Sequence, residues 1–474
     1  MLTKQVKQLL LTIVGQENYD DSKVECLVYS YDATPGFQAM PDAVIKPGST
    51  AEVAAIVKVC NEYNVPIVPR GSGTNLSGGT CPTEGGLVLL FNRMNSLLEI
   101  DEENLTATVQ PGLITLDLIS AVEEKGLFYP PDPSSMKIST IGGNINENSG
   151  GLRGLKYGVT RDYVIGLEVV LPNGDIIRTG GKLAKDVAGY DLTKLFVGSE
   201  GTLGIVTEAT LKLIPMPETT KTMLALYQDL DAAAQSVAKI ISNKIIPVTL
   251  EFLDRPTLIV VEDFAKIGLP TNVEAVLLIE QDGPPEVVER DMKRMADICL
   301  EEKAVSVEIA ETESDAVALK TARRTALSAL ARLKPTTILE DATVPRSEIA
   351  KMVRAINEIA DKHNVDICTF GHAGGHAGDG NLHPTCITDA RDHEEMERVE
   401  LAFADIFAAA IDLGGTITGE HGVGAMKAPY LEWKLKKEGI DAMRAIKQAF
   451  DPNNIMNPGK VFAKETRKRV VVST

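Results

Sequence analysis

The sequence predicts an α+β protein in which a glycine-punctuated domain of mixed sheets, residues 38–217, precedes an α/β domain, residues 218–440. Three observations carry this. Short β-rich runs broken by glycine fill the first stretch, among them "VPIVP", "GGLVLLF" and "VIGLEVVLPNGDIIRTG". After "PMPETTK" the texture changes to long helical patterns such as "PPEVVERDMKRMADICLEEK" and "RSEIAKMVRAINEIADKHN", separated by strands such as "AVLLIEQDG" and "VDICTFG". At 474 residues, finally, the chain suits two or three cores rather than one.

The elements follow in order. Residues 1–37 begin with an amphipathic helix whose apolar stripe is Leu2, Val6, Leu9, Leu10 and Ile13. Ser49 or Thr50 caps a helix that runs into the buried strand "VPIVP". "SLLEIDEENLTATVQPG" and "GIVTEATLKLIPMP" supply further strands, and Asn173-Gly174 predicts a type I′ turn joining two alternating ones. Residues 441–474 form a C-terminal segment, a helix ended by Asp-Pro and Asn-Pro-Gly turns.

Composition excludes several classes. A formal charge of −18 repels nucleic acid and anionic membranes. No apolar run approaches the ~20 residues that span a bilayer, and the N-terminus lacks a small-residue cleavage site, so a cytoplasmic location is expected. The six cysteines contain no C-x-x-C pair, which removes the usual zinc and iron–sulfur spacings.

"RGSGTNLSGG", residues 70–79, fails the dinucleotide-fold fingerprint because Leu76 stands where a third glycine belongs. What is left is a run of amides freed by glycine, with hydroxyls on Ser72, Thr74 and Ser77 and one charge on Arg70. Such a nest suits a pyrophosphate, although the stretch alone reads equally as a surface turn. In "GHAGGHAGDGNLHP", residues 371–384, three of the chain's six histidines crowd one glycine-rich segment. With Asp379-Gly380 at the centre of a tight turn, His376 opposes His383, with Cβ atoms ~4.5–5.5 Å apart. Two such imidazoles converge on one divalent ion or stay solvated; His363 and His393 read as solvated surface.

With "YPPDPSS", "STIGGNINENSGGLRGLKYG" and "DLTKLFVGSEGTLGIVTEATL" following the nest, the chain resembles FAD-binding proteins of the vanillyl-alcohol-oxidase type. The similarity runs from "PDAVIKPGS" to "NPGKVF" and is greatest to the branch of glycolate oxidase flavin subunits, D-lactate dehydrogenases and D-2-hydroxyglutarate dehydrogenases. The resemblance implies a two-subdomain FAD-binding domain, a substrate (cap) domain and a C-terminal segment returning to the flavin. It places Arg70, Gly71, Ser72, Gly73, Thr74 and Asn75 around the diphosphate with Ser77 nearby. Pro131, Asp132, Thr140, Gly142, Gly143 and Asn144 line the flavin and ribityl chain. Glu200, Gly201, Gly204, Ile205 and Val206 meet the adenine end, and Asn457 approaches the isoalloxazine. The nest has no histidine or cysteine for covalent attachment, so FAD is expected to be noncovalent.

The same resemblance implies a divalent metal held by His376, His383 and Glu420, with His421 as catalytic base and His372 an alternative to His376 through the tandem "GHAG". Such a set suits zinc, iron(II) or manganese. Arg323 matches the family's substrate-carboxylate clamp, with Arg324 beside it. The implied reaction oxidises a D-2-hydroxy acid to the 2-oxo acid, with hydride passing to flavin N5. "TTILEDATVP" offers Leu339 and Glu340 but no lysine for a distal acid, which favours D-lactate, then glycolate. With neither an iron–sulfur spacing nor a nicotinamide fingerprint, electrons are expected to leave to a separate acceptor, first an electron-transferring flavoprotein or other redox subunit. A noncatalytic FAD relay is the alternative.

Overall fold

The computed structural model describes residues 2–266, 268–310, 328–371 and 380–462. Two larger sheets and a two-stranded ribbon, Leu127–Phe128 with Ile214–Pro215, build the first domain. In one, Ala43–Ile45, Leu87–Leu90 and Ile67–Arg70 run parallel, with the short strand Tyr19–Asp20 on the outer edge. Helix Thr50–Tyr63 makes the crossover. Ser49 caps it by accepting from the Glu52 amide at 3.2 Å, while Glu52 reaches back to the Gly48 amide at 2.8 Å. The other sheet is antiparallel, in the order Leu97–Asp101, Thr106–Val109, Ile205–Lys212, Val164–Val170, Ile176–Gly180.

Two local expectations change. The first helix, Lys4–Val14, buries Val6, Leu10 and Val14, whereas Leu9 is 38% exposed. The i, i+4, i+8 stripe therefore runs through Val14 and leaves Leu9 on its flank. The Val164–Gly180 hairpin closes through Leu171 and Asp175, with Gly174 at φ +81° and the Gly174 amide bonded to the Leu171 carbonyl. Only Gly174 adopts positive φ, so the loop has three residues and ends on a glycine bulge instead of the two-residue type I′ turn.

The second domain is one sheet with four helices on one face and helix Arg255–Ala265 on the other. Its order is Ser306–Ile309, Thr219–Tyr227, Ala275–Gly283, Thr249–Asp254, Asp366–Gly371, Asn381–Thr388, Thr336–Leu339, with antiparallel pairing throughout. Helices Leu230–Ser242, Pro285–Glu301, Ile349–His363 and His393–Asp412 bury Val237, Met292, Val353 and Phe403 against Met223, Leu277, Leu382 and Cys386. Alternation along each strand sends Leu339, Phe370 and Ile387 to the opposite face. His383, one residue after Leu382, shares that face, on which helix Arg255–Ala265 also packs, and this sets its direction.

After helix Leu431–Phe450 the chain returns to the first domain. Ile67 donates to the Ile455 carbonyl and Asn457 to the Ile67 carbonyl, both at 2.7 Å, and Ile455 and Met456 join the core that holds Val6 and Leu10. Among the described residues no helix is long and apolar enough to cross a membrane.

Candidate active site

A cavity of about 790 Å³ is lined by residues of both domains, near the upper end of the ~300–1,000 Å³ usual for ligand sites. One part is the nest. Arg70, Gly71, Ser72, Gly73, Thr74 and Asn75 line it, with Thr140, Gly142, Gly143 and Asn144 alongside. Among the described residues, no amide from 71 to 77 donates a hydrogen bond to a protein acceptor. Arg70 is buried over the Tyr29 ring at 5.4 Å with its Nε unpartnered. Burial lowers its proton affinity, and Asp32 opposes that. Asp32 also staples the nest, accepting from the Asn75 side chain at 2.7 Å and the Thr80 amide at 3.2 Å. Free amides and an orphaned guanidinium nitrogen fit an anionic diphosphate.

Space is as restrictive as charge. A Cβ on Gly71 would stand 2.2 Å from Thr140 Oγ1. Gly71→Ala is therefore expected to weaken FAD retention about tenfold or more, the cost of losing one charge-assisted contact. The ratio of flavin to protein absorbance after purification measures it, and a fully yellow variant would remove the nest from the binding site.

Glu200, Gly201, Ile205, Val206 and Asn457 also line the cavity, whereas Ser77, Pro131, Asp132 and Gly204 do not. Gly204 packs against Val169, and Asp132 accepts from the Arg153 amide at 3.1 Å. The Ser77 carbonyl accepts from the Ala425 and Met426 amides. Glu200 is placed beside the His421 loop and not at the far end of the nest, because its two oxygens accept from the Val423 and Gly424 amides at 2.7 Å each. Asn457 donates to the Gly79 and Glu200 carbonyls at 2.9 and 2.7 Å, and its Oδ1 has no partner.

Leu339, Phe370, His383, Glu420 and His421 line the same cavity. His383 Nε2 lies 3.3 Å from Glu420 Oε1, and its ring stacks on His421 with centroids 5.0 Å apart and planes 18° apart. His383, Glu420 and His421 each offer a ligand atom within 4.8 Å of the others, a donor set that fits one divalent cation. His421 thus belongs to the same cluster as the two expected ligands.

The hairpin reflection is overturned. The ladder pairs Phe370 with His383 and Gly371 with Leu382, so the residue opposite His383 is Phe370. Strand Asn381–Thr388 is held on its other side too, through Thr343 with Asn381 and Ala342 with Leu382, and Gly380 closes onto Val344 instead of centring a tight turn. Pairing on both sides fixes the register more strongly than a two-residue turn signal. His372, His376, Arg323 and Arg324 lie outside the described residues. His393 is exposed as expected, but His363 pairs with Asp405 at 2.7 Å between two helices.

Asp341, unmarked by any motif, organises this cluster. Its buried Oδ2 accepts from the amides of Gly419, Glu420 and His421 at 2.7, 2.8 and 3.2 Å. Its Oδ1 pairs with buried Lys427 and lies 3.5 Å from His421 Nδ1. Burial opposes the charge, but His421, Lys427 and His383 outweigh it and hold the carboxyl well below its usual range. Glu340 turns to Lys427 at 3.2 Å, leaving Leu339 to the cavity.

Comparison with known proteins decides the family. Residues 41–180 match an FAD binding domain, and residues 216–461, over half the chain, match the C-terminal domain of FAD linked oxidases. The chain belongs to the FAD-linked oxidases. This FAD-linked oxidase is 76% identical over 471 residues to the glycolate oxidase subunit GlcD of Bacillus subtilis, covering 99% of each chain. It is 37% identical to a D-lactate dehydrogenase of Anaerostipes hadrus, covering 95% and 94%. Its fold matches p-cresol methylhydroxylase with a TM-score of 0.82 at 18% identity, covering 97% and 98%, a likeness of vanillyl-alcohol-oxidase type. It is an FAD-linked oxidoreductase with a mixed helix and sheet fold of that type.

Proposed function

We propose that this FAD-linked oxidase dehydrogenates a small 2-hydroxy monocarboxylic acid to the 2-oxo acid, with a divalent metal at the His383–Glu420 cluster. The observation that carries the reading is the convergence of His383, Glu420 and His421 in the cavity that also holds the nest. When bound, FAD supplies the two-electron acceptor and the cation supplies the Lewis acid. His383 and Glu420, with His376 as the proposed third ligand, would hold the cation. His421 takes the hydroxyl proton as the substrate loses two electrons and two protons. Asp341 grips the amide of His421 and faces its Nδ1, which leaves Nε2 for the substrate. Arg323 is the proposed carboxylate clamp.

Leu339 and Phe370 give the site an apolar wall, and neither side chain offers a counter-charge to a second carboxylate. The 76% identical relative, named for glycolate oxidation, moves glycolate ahead of D-lactate, reversing the order drawn from the missing lysine. That relative is called a subunit, which supports transfer to a separate redox protein such as an electron-transferring flavoprotein; work in the cytoplasm belongs to the same proposal. Anaerobic addition of glycolate or D-lactate is expected to bleach the flavin. Chelation is expected to slow bleaching about 10²-fold or more, with recovery on adding zinc, iron(II) or manganese. Bleaching that survives full metal removal would discard the metal, and no bleaching by either acid would discard the substrate class in favour of an electron relay.

A further inference from the structure

Glu147 lines the cavity yet has no part in the proposed chemistry. It ends helix Ile141–Glu147, whose last turn is tied to the 200–201 backbone. The Glu200 amide donates to the Asn146 carbonyl at 2.9 Å, and the Gly201 amide to Asn146 Oδ1 at 3.0 Å. These bonds hold the two glutamates side by side. Glu147 Oε2 and Glu200 Oε1 lie 2.2 and 3.3 Å from the point a Cβ on Gly422 would occupy. Gly422, at φ +78°, leaves that point vacant, and it directly follows His421. Glu200 spends both oxygens on the Val423 and Gly424 amides, whereas Glu147 Oε2 is sealed from solvent with no partner.

The two carboxyls border one point beside Gly422, and two ionised carboxylates facing one buried spot repel. A carboxylic acid beside a carboxylate has a donor and an acceptor ready to meet. We propose that Glu147 is a positioning residue: as a neutral acid it shares its proton with the Glu200 carboxylate, and the pair latches the loop that carries Glu420 and His421. The proposal concerns how the loop is attached, whichever acid is oxidised. Burial raises the proton affinity of Glu147, and the charges of Glu200 and Asp32 add to it. Burial raises that of Glu200 too, but the Val423 and Gly424 amides and the charges of Lys460 and Lys427 favour its ionised form, so Glu147 keeps the proton. Raising the pH until Glu147 ionises sets two like charges against one loop and loosens it.

The test uses the full-length, FAD-loaded protein. Infrared difference spectra between neutral and alkaline pH are expected to show loss of a carboxylic-acid C=O band in the wild type and no such band in Glu147→Gln. Hydrogen exchange in the segment containing Val423 and Gly424, corrected for intrinsic rates, is expected to speed up about tenfold or more at alkaline pH, the equivalent of one charge-assisted hydrogen bond. Glu147→Gln, a permanent neutral donor, is expected to keep the slow exchange at both pH values, and Glu147→Ala to lose it at both. An identical infrared difference in wild type and Glu147→Gln overturns the shared proton. Exchange at 423–424 indifferent to Glu147→Ala overturns the latch. Should the alanine variant fail to fold, the wild type and Glu147→Gln still decide.

Discussion

Replacing His421 by alanine is expected to slow flavin reduction by the hydroxy acid about 10²–10⁴-fold, the share a positioned general base contributes. The flavin should stay bound, because the substitution leaves the nest, Arg70 to Asn75, intact. Stopped-flow reduction under anaerobic conditions reads the loss, and photoreduction of the same sample shows that the ring still accepts electrons. The expected pattern is a yellow, photoreducible protein that the substrate no longer bleaches. Because His421 stacks on His383 and shares its cluster with Glu420, metal content is measured in parallel. Normal metal with lost chemistry assigns the proton transfer to His421, and lost metal makes it a ligand. Unchanged reduction would leave the relay reading standing.

Asp341→Ala should cost both stability and rate. It strips the acceptor from the amides of Gly419, Glu420 and His421 and leaves Lys427 buried beside only Glu340, 3.2 Å away. Breaking a buried pair costs roughly 3–5 kcal/mol, with the lower end expected because Glu340 stays. Freeing the loop should lower the rate about 10²-fold, the penalty for misplacing a reacting group by about 1 Å. Adding Lys427→Met removes the stranded ammonium but also takes Lys427 from buried Glu340, so the denaturant midpoint should recover in part while the rate should not. If the double variant recovers both, Asp341 serves the fold and not the loop.

The parts that were legible in the sequence are local ones. The nest could be read because glycines and hydroxyls within ten residues specify their own backbone geometry, and Ser49 with Glu52 spells a helix start within four. Glu420 and His421 were named through the family pattern, and they lie in one cluster with His383. Asp341 left no trace, since the amides it binds lie 78–80 residues further on and an acidic pair in "LEDATVP" has no spacing to interpret. Asp32 was hidden in the same way, 43 residues before Asn75. The pairing of His383 was misread because a turn dipeptide speaks for one edge of a strand, while this strand is bonded along two. Leu9 and Val14 show the smaller form of the problem, in which several apolar residues compete for one narrow stripe and only the packing partner chooses.

The return of Ile455 and Asn457 to Ile67 fixes the order of events at the ribosome. The sheet that ends in the glycine-rich nest lacks these backbone bonds until Ile455 and Asn457 have been synthesised, after the whole of the second domain's sheet. A chain cut before Ile455 is therefore expected to keep the second domain and to lose the bonds that close the sheet bearing the nest.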